Sequence, residues 1–265
     1  MNASERHNVT VTGRPDGQAM IFAHGFGCDQ NMWRFVAPAF EDDFRVVVFD
    51  YAGAGDADPT AYDAERHGSL DGYAADVVEI SRELGVKAGV FVGHSVSSMI
   101  GVLADRADPE LFEKLVLVSP SPRYMDDEGY VGGFTESDIR ELLDSLDSNY
   151  LGWSSVMAPV IMGNPDRPEL GAELTASFCR TDPAVARRFA EVTFLSDNRA
   201  DLATVQTPSL VLQCSDDAIA PVSVGEYVAH TMPNGSLVML DATGHCPNLS
   251  APEATVDAIA AFVRR

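Results

Sequence analysis

Short apolar segments alternate with longer helical ones in the first and last parts of the chain. Six of these segments are short, apolar and rich in β-branched residues, a pattern typical of strands. The predicted strands are Ala19–Ala23, Arg45–Phe49, Gly89–Val92, Leu115–Val118, Ser209–Gln213 and Ser236–Leu240. Helical segments between and after them are predicted near Tyr73–Leu84, Met99–Ala107, Val222–His230 and Glu253–Val263. This alternation predicts an α/β fold with a mostly parallel sheet and helices on both of its faces.

Between residues 121 and 199 the strand signals vanish and apolar residues recur every three or four positions. Such spacing predicts amphipathic helices. The four stripes are Ile139, Leu142, Leu143, Leu146; Trp153, Val156, Met157, Val160; Leu170, Leu174, Phe178; and Val185, Phe189, Val192. We therefore expect a four-helix cap over residues 121–199, inserted into a core made of residues 1–120 and 200–265. The alternative is an ordinary helical insertion without a pocket.

The composition is that of a soluble globular domain. The chain has 265 residues, of which 46% are hydrophobic, enough to bury one large core. No apolar run approaches the roughly 20 residues that span a bilayer, and residues 1–10 are polar, so we expect a cytoplasmic protein. The four cysteines are scattered and lack CxxC spacing, which favours reduced structural thiols over a disulfide framework or a metal site. No cofactor and no metal are predicted.

The strong acidity restricts the possible partners. The formal net charge is −22, from 18 basic and 40 acidic residues. Nucleic acids and anionic membranes are excluded as expected partners, because both are bound through clustered positive charge. A neutral or apolar small ligand is favoured instead. The acidity is equally compatible with a solubility or salt-tolerance trait of the host.

A candidate nucleophile lies at the end of the third predicted strand. Residues 90–98 are an apolar run that leads through Gly93 to Ser95 and then directly into a predicted helix. A serine in such a tight turn is forced toward positive φ, so Gly93 and Ser97, two positions to either side, must be small. This pattern is typical of a nucleophile elbow, although it also occurs in ordinary strand-turn-helix units.

A serine hydroxyl needs a base and an acid to act as a nucleophile, and both have candidates further along the chain. Asp216 and Asp217 follow one predicted strand, and His245 follows the last. Because the carboxyl ends of parallel strands meet at one edge of the sheet, these loops are expected to converge on Ser95. The residues themselves do not decide between the two aspartates.

Two backbone amides are predicted to bind the oxyanion that acyl transfer would form. The first is the N–H of Val96, directly after the serine. The second is the N–H of Phe26, in the glycine-rich turn over residues 24–27 that follows the first predicted strand. The dinucleotide fingerprint GxGxxG is not met.

These motifs together identify a resemblance that spans essentially the whole chain. The chain resembles α/β-hydrolases of the RsbQ type and is also similar to plant karrikin and strigolactone receptors. The segments that carry the resemblance are His24-Gly25-Phe26-Gly27-Cys28-Asp29-Gln30, Phe49-Asp50-Tyr51, Gly93-His94-Ser95-Val96, Pro120-Ser121-Pro122-Arg123-Tyr124 and Leu212-Gln213-Cys214-Ser215-Asp216-Asp217. The resemblance implies an α/β-hydrolase fold with a four-helix cap. It also implies that Asp217, which precedes Ala220-Pro221, is the acid of the triad.

The resemblance further implies an apolar pocket beneath the cap. The residues implied to bind substrate are Phe26, His94, Tyr124, Phe134, Leu142, Trp153, Met157 and Phe194. Each of them could equally be ordinary packing between cap and core. Two residues depart from the family pattern. Ser97 replaces the consensus glycine of the elbow, as in the plant receptors, and Met157 stands where the receptors tend to have an aromatic residue, so ligand preference does not transfer.

Three functional hypotheses follow. The first is a serine hydrolase of a small apolar ester or lactone, similar to a butenolide, in which Ser95, His245 and Asp217 form the triad. The second is a signalling protein similar to RsbQ, which binds a hydrophobic ligand and regulates a PAS-domain phosphatase with slow or incidental hydrolysis. The third is an enzyme-like fold without activity.

Overall fold

Seven strands form a single sheet within residues 1–264, the part of the chain that the computed structural model describes. The strands are β1 (Thr10–Gly13), β2 (Gln18–Ala23), β3 (Phe44–Val48), β4 (Gly89–His94), β5 (Phe112–Val118), β6 (Ser209–Asp216) and β7 (Gly235–Thr243). Their order across the sheet is β1-β3-β2-β4-β5-β6-β7. All neighbours pair in parallel except β1, which is antiparallel to β3. This is the predicted α/β fold with a mostly parallel sheet.

The central strands are apolar because the sheet is covered on both faces. In β4 every residue is buried, and in β2 all but the first are. Successive side chains pack into different cores: Met20 and Phe22 join the core that contains residues of α11 (Pro252–Val263), whereas Ile21 joins the core that contains residues of α3 (Val96–Ala107). The alternation of a strand therefore builds two hydrophobic layers from one apolar run.

The edge strand β1 was not predicted from the sequence. Its residues, Thr10 to Gly13, are all exposed, so no burial pattern marks the segment as a strand. It is held by backbone pairing, with Thr10 opposite Val48 and Gly13 opposite Arg45. A polar edge strand of this kind has only its hydrogen-bonding register to define it, which a hydrophobicity pattern does not report.

Helices cover both faces of the sheet and form a separate group between β5 and β6. The helices of residues 1–264 are α1 (Ala3–Arg6), α2 (Leu70–Glu83), α3 (Val96–Ala107), α4 (Glu136–Ser148), α5 (Tyr150–Met162), α6 (Pro168–Phe178), α7 (Pro183–Phe194), α8 (Arg199–Leu202), α9 (Val222–Thr231), α10 (Pro247–Ser250) and α11 (Pro252–Val263). Short 3-10 helices lie at Gln30–Trp33, Ala37–Phe40, Pro59–Ala61 and Arg66–Gly68. The helices α4 to α7 are the group between β5 and β6, and we call them the cap.

Local signals set the boundaries of the cap helices. A capping box between Thr135 and Asp138 begins α4. Asn149 caps α5, which ends at Gly163 in the left-handed conformation. Proline occupies the first position of both α6 and α7. These signals separate the four helices although the connections between them are short.

The apolar stripe predicted for α5 is partly wrong. Val156 and Val160 are 67% and 48% exposed, whereas the buried face is formed by Tyr150, Trp153 and Ala158. This helix carries apolar residues on all sides, so periodicity alone could not identify the inward face.

No helix within residues 1–264 is both long enough and apolar enough to cross a membrane.

Candidate active site

Ser95 lies in a strained turn between β4 and α3. Its backbone has φ 57° and ψ −124°, the positive φ expected of a nucleophile elbow. The turn needs Gly93, because a Cβ there would lie 2.5 Å from the Ser97 carbonyl oxygen. The Ser95 N–H donates to the carbonyl of Val118 on β5 at 2.8 Å, which holds the turn at the edge of the sheet.

The structure brings Ser95, His245 and Asp217 together, although they lie far apart in the chain. The Ser95 hydroxyl donates to His245 Nε2 at 2.8 Å, and His245 Nδ1–H donates to Asp217 Oδ2 at 2.8 Å. The neighbouring Asp216 ends β6, and its backbone carbonyl accepts a hydrogen bond from the Gly244 N–H at 2.7 Å. The exposed fractions are 6% for Ser95 and 4% for His245, so the pair is shielded from bulk water.

The second oxygen of Asp217 orients the carboxylate. Asp217 Oδ1 accepts hydrogen bonds from the backbone N–H groups of Ile219 and Ala220, at 2.8 and 3.0 Å. Burial by itself raises the pKa of Asp217, but the charge and hydrogen bond of His245 and the two N–H groups outweigh it, so the pKa lies below its ordinary value. The carboxylate therefore stays ionised and fixes the Nδ1–H tautomer of His245.

The backbone of His245 is held from two sides. Its N–H donates to the carbonyl of Ile161, at the end of cap helix α5, at 2.8 Å. Its carbonyl accepts a hydrogen bond from His94 Nε2, beside the nucleophile, at 2.7 Å. Burial, followed by the nearby His245, lowers the pKa of His94 to about 3, so His94 is neutral. The position of the candidate base therefore depends on both the elbow and the cap.

The backbone amides of Phe26 and Val96, the two predicted oxyanion donors, have no acceptor within residues 1–264. The turn that carries Phe26 approaches the elbow closely, since a Cβ on Gly25 would lie 2.6 Å from His94 Nδ1. Ser97 links the two segments, because its Oγ hydrogen-bonds to the His24 carbonyl and, at 2.9 Å, to the hydroxyl of Tyr51. A serine at the consensus glycine position thus ties the elbow to the turn.

An apolar cavity, which we call the chamber, lies between Ser95 and the cap. Its walls are Phe26, Cys28, His94, Ser95, Tyr124, Leu142, Trp153, Met157, Ile161, Leu174, Phe178, Thr193, Phe194, Ile219, His245 and Cys246. The volume open to the centre of a water-sized sphere is about 40 Å³. By that measure one water needs about 10–15 Å³, so the chamber as it stands has room only for a small group.

Phe134 is the one predicted lining residue that the structure places elsewhere. It lies just before α4 and borders a groove on the outer side of the cap, which we call the outer groove. Its ring packs edge-on against that of Phe194, a residue of the chamber wall, with centroids 6.5 Å apart. Leu142, Trp153 and Met157 border both spaces and so form the wall between them.

Sequence reasoning missed seven residues of the chamber wall. They are Cys28, Ile161, Leu174, Phe178, Thr193, Ile219 and Cys246. Two of them had a usable signal, because Cys28 directly follows the glycine-rich turn and Cys246 directly follows the candidate base. Leu174 and Phe178 were placed on a cap stripe without being assigned to the pocket. Nothing in the sequence distinguished Thr193.

The chamber favours neutral groups. Burial raises the pKa of the Tyr124 phenol, whose oxygen lies 3.4 Å from Ser95 Oγ, and raises the pKa of Cys28 to about 12. Burial also raises the pKa of Cys246 well above its ordinary value. Both thiols are therefore protonated near neutral pH and are weak nucleophiles. Ser95 differs from both thiols, because its hydroxyl lies 2.8 Å from His245 Nε2.

The fold and the site define a member of the alpha/beta hydrolase family, and the chain belongs to that family. The model of this family matches residues 20–258. The predicted enzyme class, a hydrolase of this superfamily, is confirmed.

Individual relatives resemble the chain over nearly its whole length. Karrikin insensitive 2 receptor CA of Petunia hybrida is 41% identical over 253 residues, covering 95% of this chain and 93% of the relative. Strigolactone esterase D14 of Arabidopsis thaliana is 37% identical over 265 residues, covering 100% of this chain and 97% of the relative. The structure of olei00960, a hydrolase from Oleispira antarctica, matches with a TM-score of 0.96 and 40% identity, covering 99% of this chain and 96% of that one. The predicted similarity to karrikin and strigolactone receptors is confirmed; the relation to RsbQ stays a prediction.

Proposed function

We propose that this protein hydrolyses small apolar esters or lactones, with Ser95 as nucleophile, His245 as base and then acid, and Asp217 as the group that orients His245. The observation that carries the proposal is the chain of two 2.8 Å hydrogen bonds from Ser95 through His245 to Asp217, at the floor of an apolar chamber. The names of the relatives, a receptor and an esterase for small ligands, support the same substrate class.

In the first half of the reaction, His245 Nε2 accepts the Ser95 proton as Oγ attacks the carbonyl carbon. The negative charge that develops on the carbonyl oxygen is stabilised by the unused N–H groups of Phe26 and Val96. Asp217 stabilises the imidazolium that forms. The imidazolium then protonates the leaving alkoxide, which leaves an acyl group on Ser95.

In the second half, water replaces the alcohol. His245 removes a proton from the water as its oxygen attacks the acyl carbon, and the same proton returns to Ser95 Oγ as the acid product leaves. In a lactone the alcohol and the acid remain one molecule, so a single ring-opened product leaves the chamber. The low polarity of the chamber strengthens the hydrogen bonds that act on the developing charge.

The variant Ser95→Ala tests this proposal with p-nitrophenyl acetate and a butenolide lactone as substrates. We expect kcat to fall by roughly 10³-fold or more, because removal of a triad member leaves only oxyanion binding and positioning. The control is Ser98→Ala, three residues further along the chain in α3, which removes a hydroxyl that donates to the Gly93 carbonyl and not to His245. Undiminished turnover by Ser95→Ala would overturn the proposal.

A second candidate function is ligand sensing, in which the acyl-enzyme or bound ligand changes the surface seen by a protein partner such as a phosphatase. The observation that favours it is the hydrogen bond from the His245 N–H to Ile161 on the cap, which couples the candidate base to helix α5. Hydrogen exchange of α5 with and without the butenolide tests this function. Sensing predicts a change in exchange that Ser95→Ala abolishes, whereas unchanged exchange with many turnovers per enzyme argues for hydrolysis alone.

A further inference from the structure

Two residues that the cap contributes to the chamber wall each carry a polar side-chain atom without a hydrogen-bond partner within residues 1–264. Thr193 on α7 is 1% exposed, and its Oγ1 is unpaired. Trp153 on α5 is 5% exposed, and its Nε1–H is unpaired as well. Both residues line the chamber. A buried polar group without a partner is destabilising, so these two atoms need an explanation.

Other hydroxyl groups in the cap donate hydrogen bonds to backbone carbonyls of their own helices. Ser154 on α5 donates to the carbonyl of Tyr150 at 2.7 Å, and Thr175 on α6 donates to that of Gly171 at 2.9 Å. Each is the usual bond to the carbonyl one helical turn earlier. Thr193 sits in a helix of the same kind and does not make this bond, so its hydroxyl is available to a group that enters the chamber.

A third unpaired atom near the site, His94 Nδ1, has a different cause. It packs against Gly25, where a Cβ would lie 2.6 Å away, so the backbone of the glycine-rich turn covers it. The two unpaired atoms that remain in the wall are both on the cap, and the reacting atoms of Ser95 and His245 are on the core. The cap atoms are therefore not needed for the acyl transfer itself.

We propose that Thr193 and Trp153 bind an oxygen atom of the substrate that lies outside the scissile ester. The chamber would then select compact esters or lactones that carry a second hydrogen-bond acceptor, such as an ether, carbonyl or ring oxygen. An indole N–H can only donate, and a threonine hydroxyl can also donate, so an acceptor is the one group that both can bind. The small volume of the chamber places this second oxygen within a few bonds of the scissile carbonyl. The inference rests on the proposed hydrolysis by Ser95.

The test compares substrates that differ only in one oxygen. The first pair is p-nitrophenyl β-methoxypropanoate and p-nitrophenyl pentanoate, and the second is p-nitrophenyl γ-methoxybutanoate and p-nitrophenyl hexanoate. The measured quantity is the ratio of kcat/KM within a pair. Comparison of this ratio between enzyme variants cancels the intrinsic reactivity of each ester.

Thr193→Val removes the hydroxyl and keeps the shape of the side chain, and Thr193→Ser is the matched control that keeps the hydroxyl. We expect Thr193→Val to lower the ratio roughly 3- to 10-fold for at least one pair, the usual effect of losing one neutral hydrogen bond. Thr193→Ser should retain the wild-type ratio, and Trp153→Phe should lower it. An unchanged ratio in Thr193→Val for both pairs would overturn the inference.

Thermal unfolding gives a second test, in which Thr193→Val is expected to gain stability although it loses substrate selectivity. Because Thr193→Val removes an unpaired buried hydroxyl, we expect its Tm to rise by roughly 1–4 °C. A fall in Tm would mean that the hydroxyl already has a partner in the protein, which contradicts the inference. Hydrolysis of the pentanoate ester by wild type and its loss in Ser95→Ala separate a failure of this inference from a failure of the proposed function.

Discussion

At the scale of single residues, His94 connects parts of the site that are distant in sequence. Its ring lies between the glycine-rich turn, where Gly25 covers Nδ1, and the carbonyl of His245, to which Nε2–H donates. Because the pKa of His94 is lowered to about 3, the ring stays neutral and keeps this single donor throughout the working pH range. We therefore assign His94 a positioning role, in addition to its place in the chamber wall.

Loss of this donor is predicted to lower kcat more than it changes KM. In His94→Phe the His245 carbonyl is left buried without a partner, and we expect a roughly 10- to 100-fold fall in kcat. His94→Gln offers an N–H at about the same reach and should recover most of the activity. Steady-state kinetics with p-nitrophenyl acetate measure both variants. Wild-type kcat in His94→Phe would refute the positioning role.

Glycine is required at position 27 both by the positive φ of the backbone and by the side chain that packs against it. Its φ is +70°, and a Cβ there would fall inside the ring of Phe178 on the cap. Gly85 is the matched control, because its φ is +65° and a Cβ there would meet nothing within 4 Å.

Gly27→Ala is therefore predicted to be much more destabilising than Gly85→Ala. Positive φ alone costs a non-glycine residue about 1–2 kcal/mol, and the clash with Phe178 adds roughly 2 kcal/mol more in Gly27→Ala. Urea unfolding of the two variants measures the difference. Equal losses in the free energy of unfolding would show that Phe178 of the cap does not pack closely against Gly27.

At the scale of elements, a buried carboxylate near the carboxyl end of helix α3 destabilises the folded protein when it is ionised. Asp105 lies in its last turn, is 3% exposed, and accepts hydrogen bonds from the Thr207 hydroxyl at 2.9 and 3.0 Å. Burial raises the pKa of Asp105 to about 6, although the Thr207 hydrogen bond acts to lower it. A negative charge at a helix carboxyl end is also unfavourable with the helix dipole.

Asp105→Asn is predicted to be stabilising at high pH. The folded pKa lies above the unfolded value of about 3.9, so the folded state binds more protons, and wild-type stability falls as pH rises from about 4 to 6. We expect Asp105→Asn to raise the free energy of unfolding by about 2 kcal/mol at pH 8 and by close to zero at pH 4, since asparagine can still accept from Thr207. Urea unfolding at both pH values measures the change, and equal differences at the two would contradict it.

The elements differ in how far the sequence predicted them. The central strands such as β4 were predicted because both faces are buried, which makes them continuous apolar runs. The strand β1 was missed because it is fully exposed and defined by its backbone pairing with β3. In the cap, α5 was predicted as a helix, but its inward face was not, because Val156 and Val160 are apolar and exposed.

The site shows the same division between local pattern and long-range contact. Ser95 and His245 were predicted because each follows a strand in a local motif, and only the resemblance selected Asp217 over Asp216. The hydrogen bonds from His94 and Ile161 to the backbone of His245 join residues that share no sequence pattern. The same is true of Thr193, because only the folded structure shows that its hydroxyl has no partner among residues 1–264.

At the scale of the whole molecule, the net charge of −22 acts against the compact state. Ion pairs between arginines and carboxylates offset part of this repulsion. Arg34–Glu173 joins the core to the cap, and Arg123–Asp197 joins the segments that precede and follow the cap. Such surface pairs contribute about 0–1 kcal/mol each. The repulsion among the excess carboxylates is therefore expected to outweigh the attraction within the pairs.

Added salt is predicted to raise thermal stability. Between 0.01 M and 0.15 M ionic strength the screening length falls from about 30 to about 8 Å, which weakens repulsion between distant carboxylates more than attraction within contacting pairs. We expect Tm to rise by roughly 2–4 °C, the equivalent of about 1 kcal/mol for a chain of this size. Differential scanning calorimetry in NaCl measures it, with sucrose of equal osmolarity as the control. A falling Tm would show that the ion pairs dominate.

The central claim is that Ser95 Oγ attacks the substrate, and covalent labelling tests it most directly. A small p-nitrophenyl alkylphosphonate transfers its phosphonyl group irreversibly to an activated nucleophile, and peptide mass spectrometry then locates the adduct. We predict one adduct per chain, on Ser95, formed with release of p-nitrophenol, absent from Ser95→Ala and slowed in His245→Ala. Labelling of another residue at the wild-type rate, or full ester turnover by Ser95→Ala, would contradict the account.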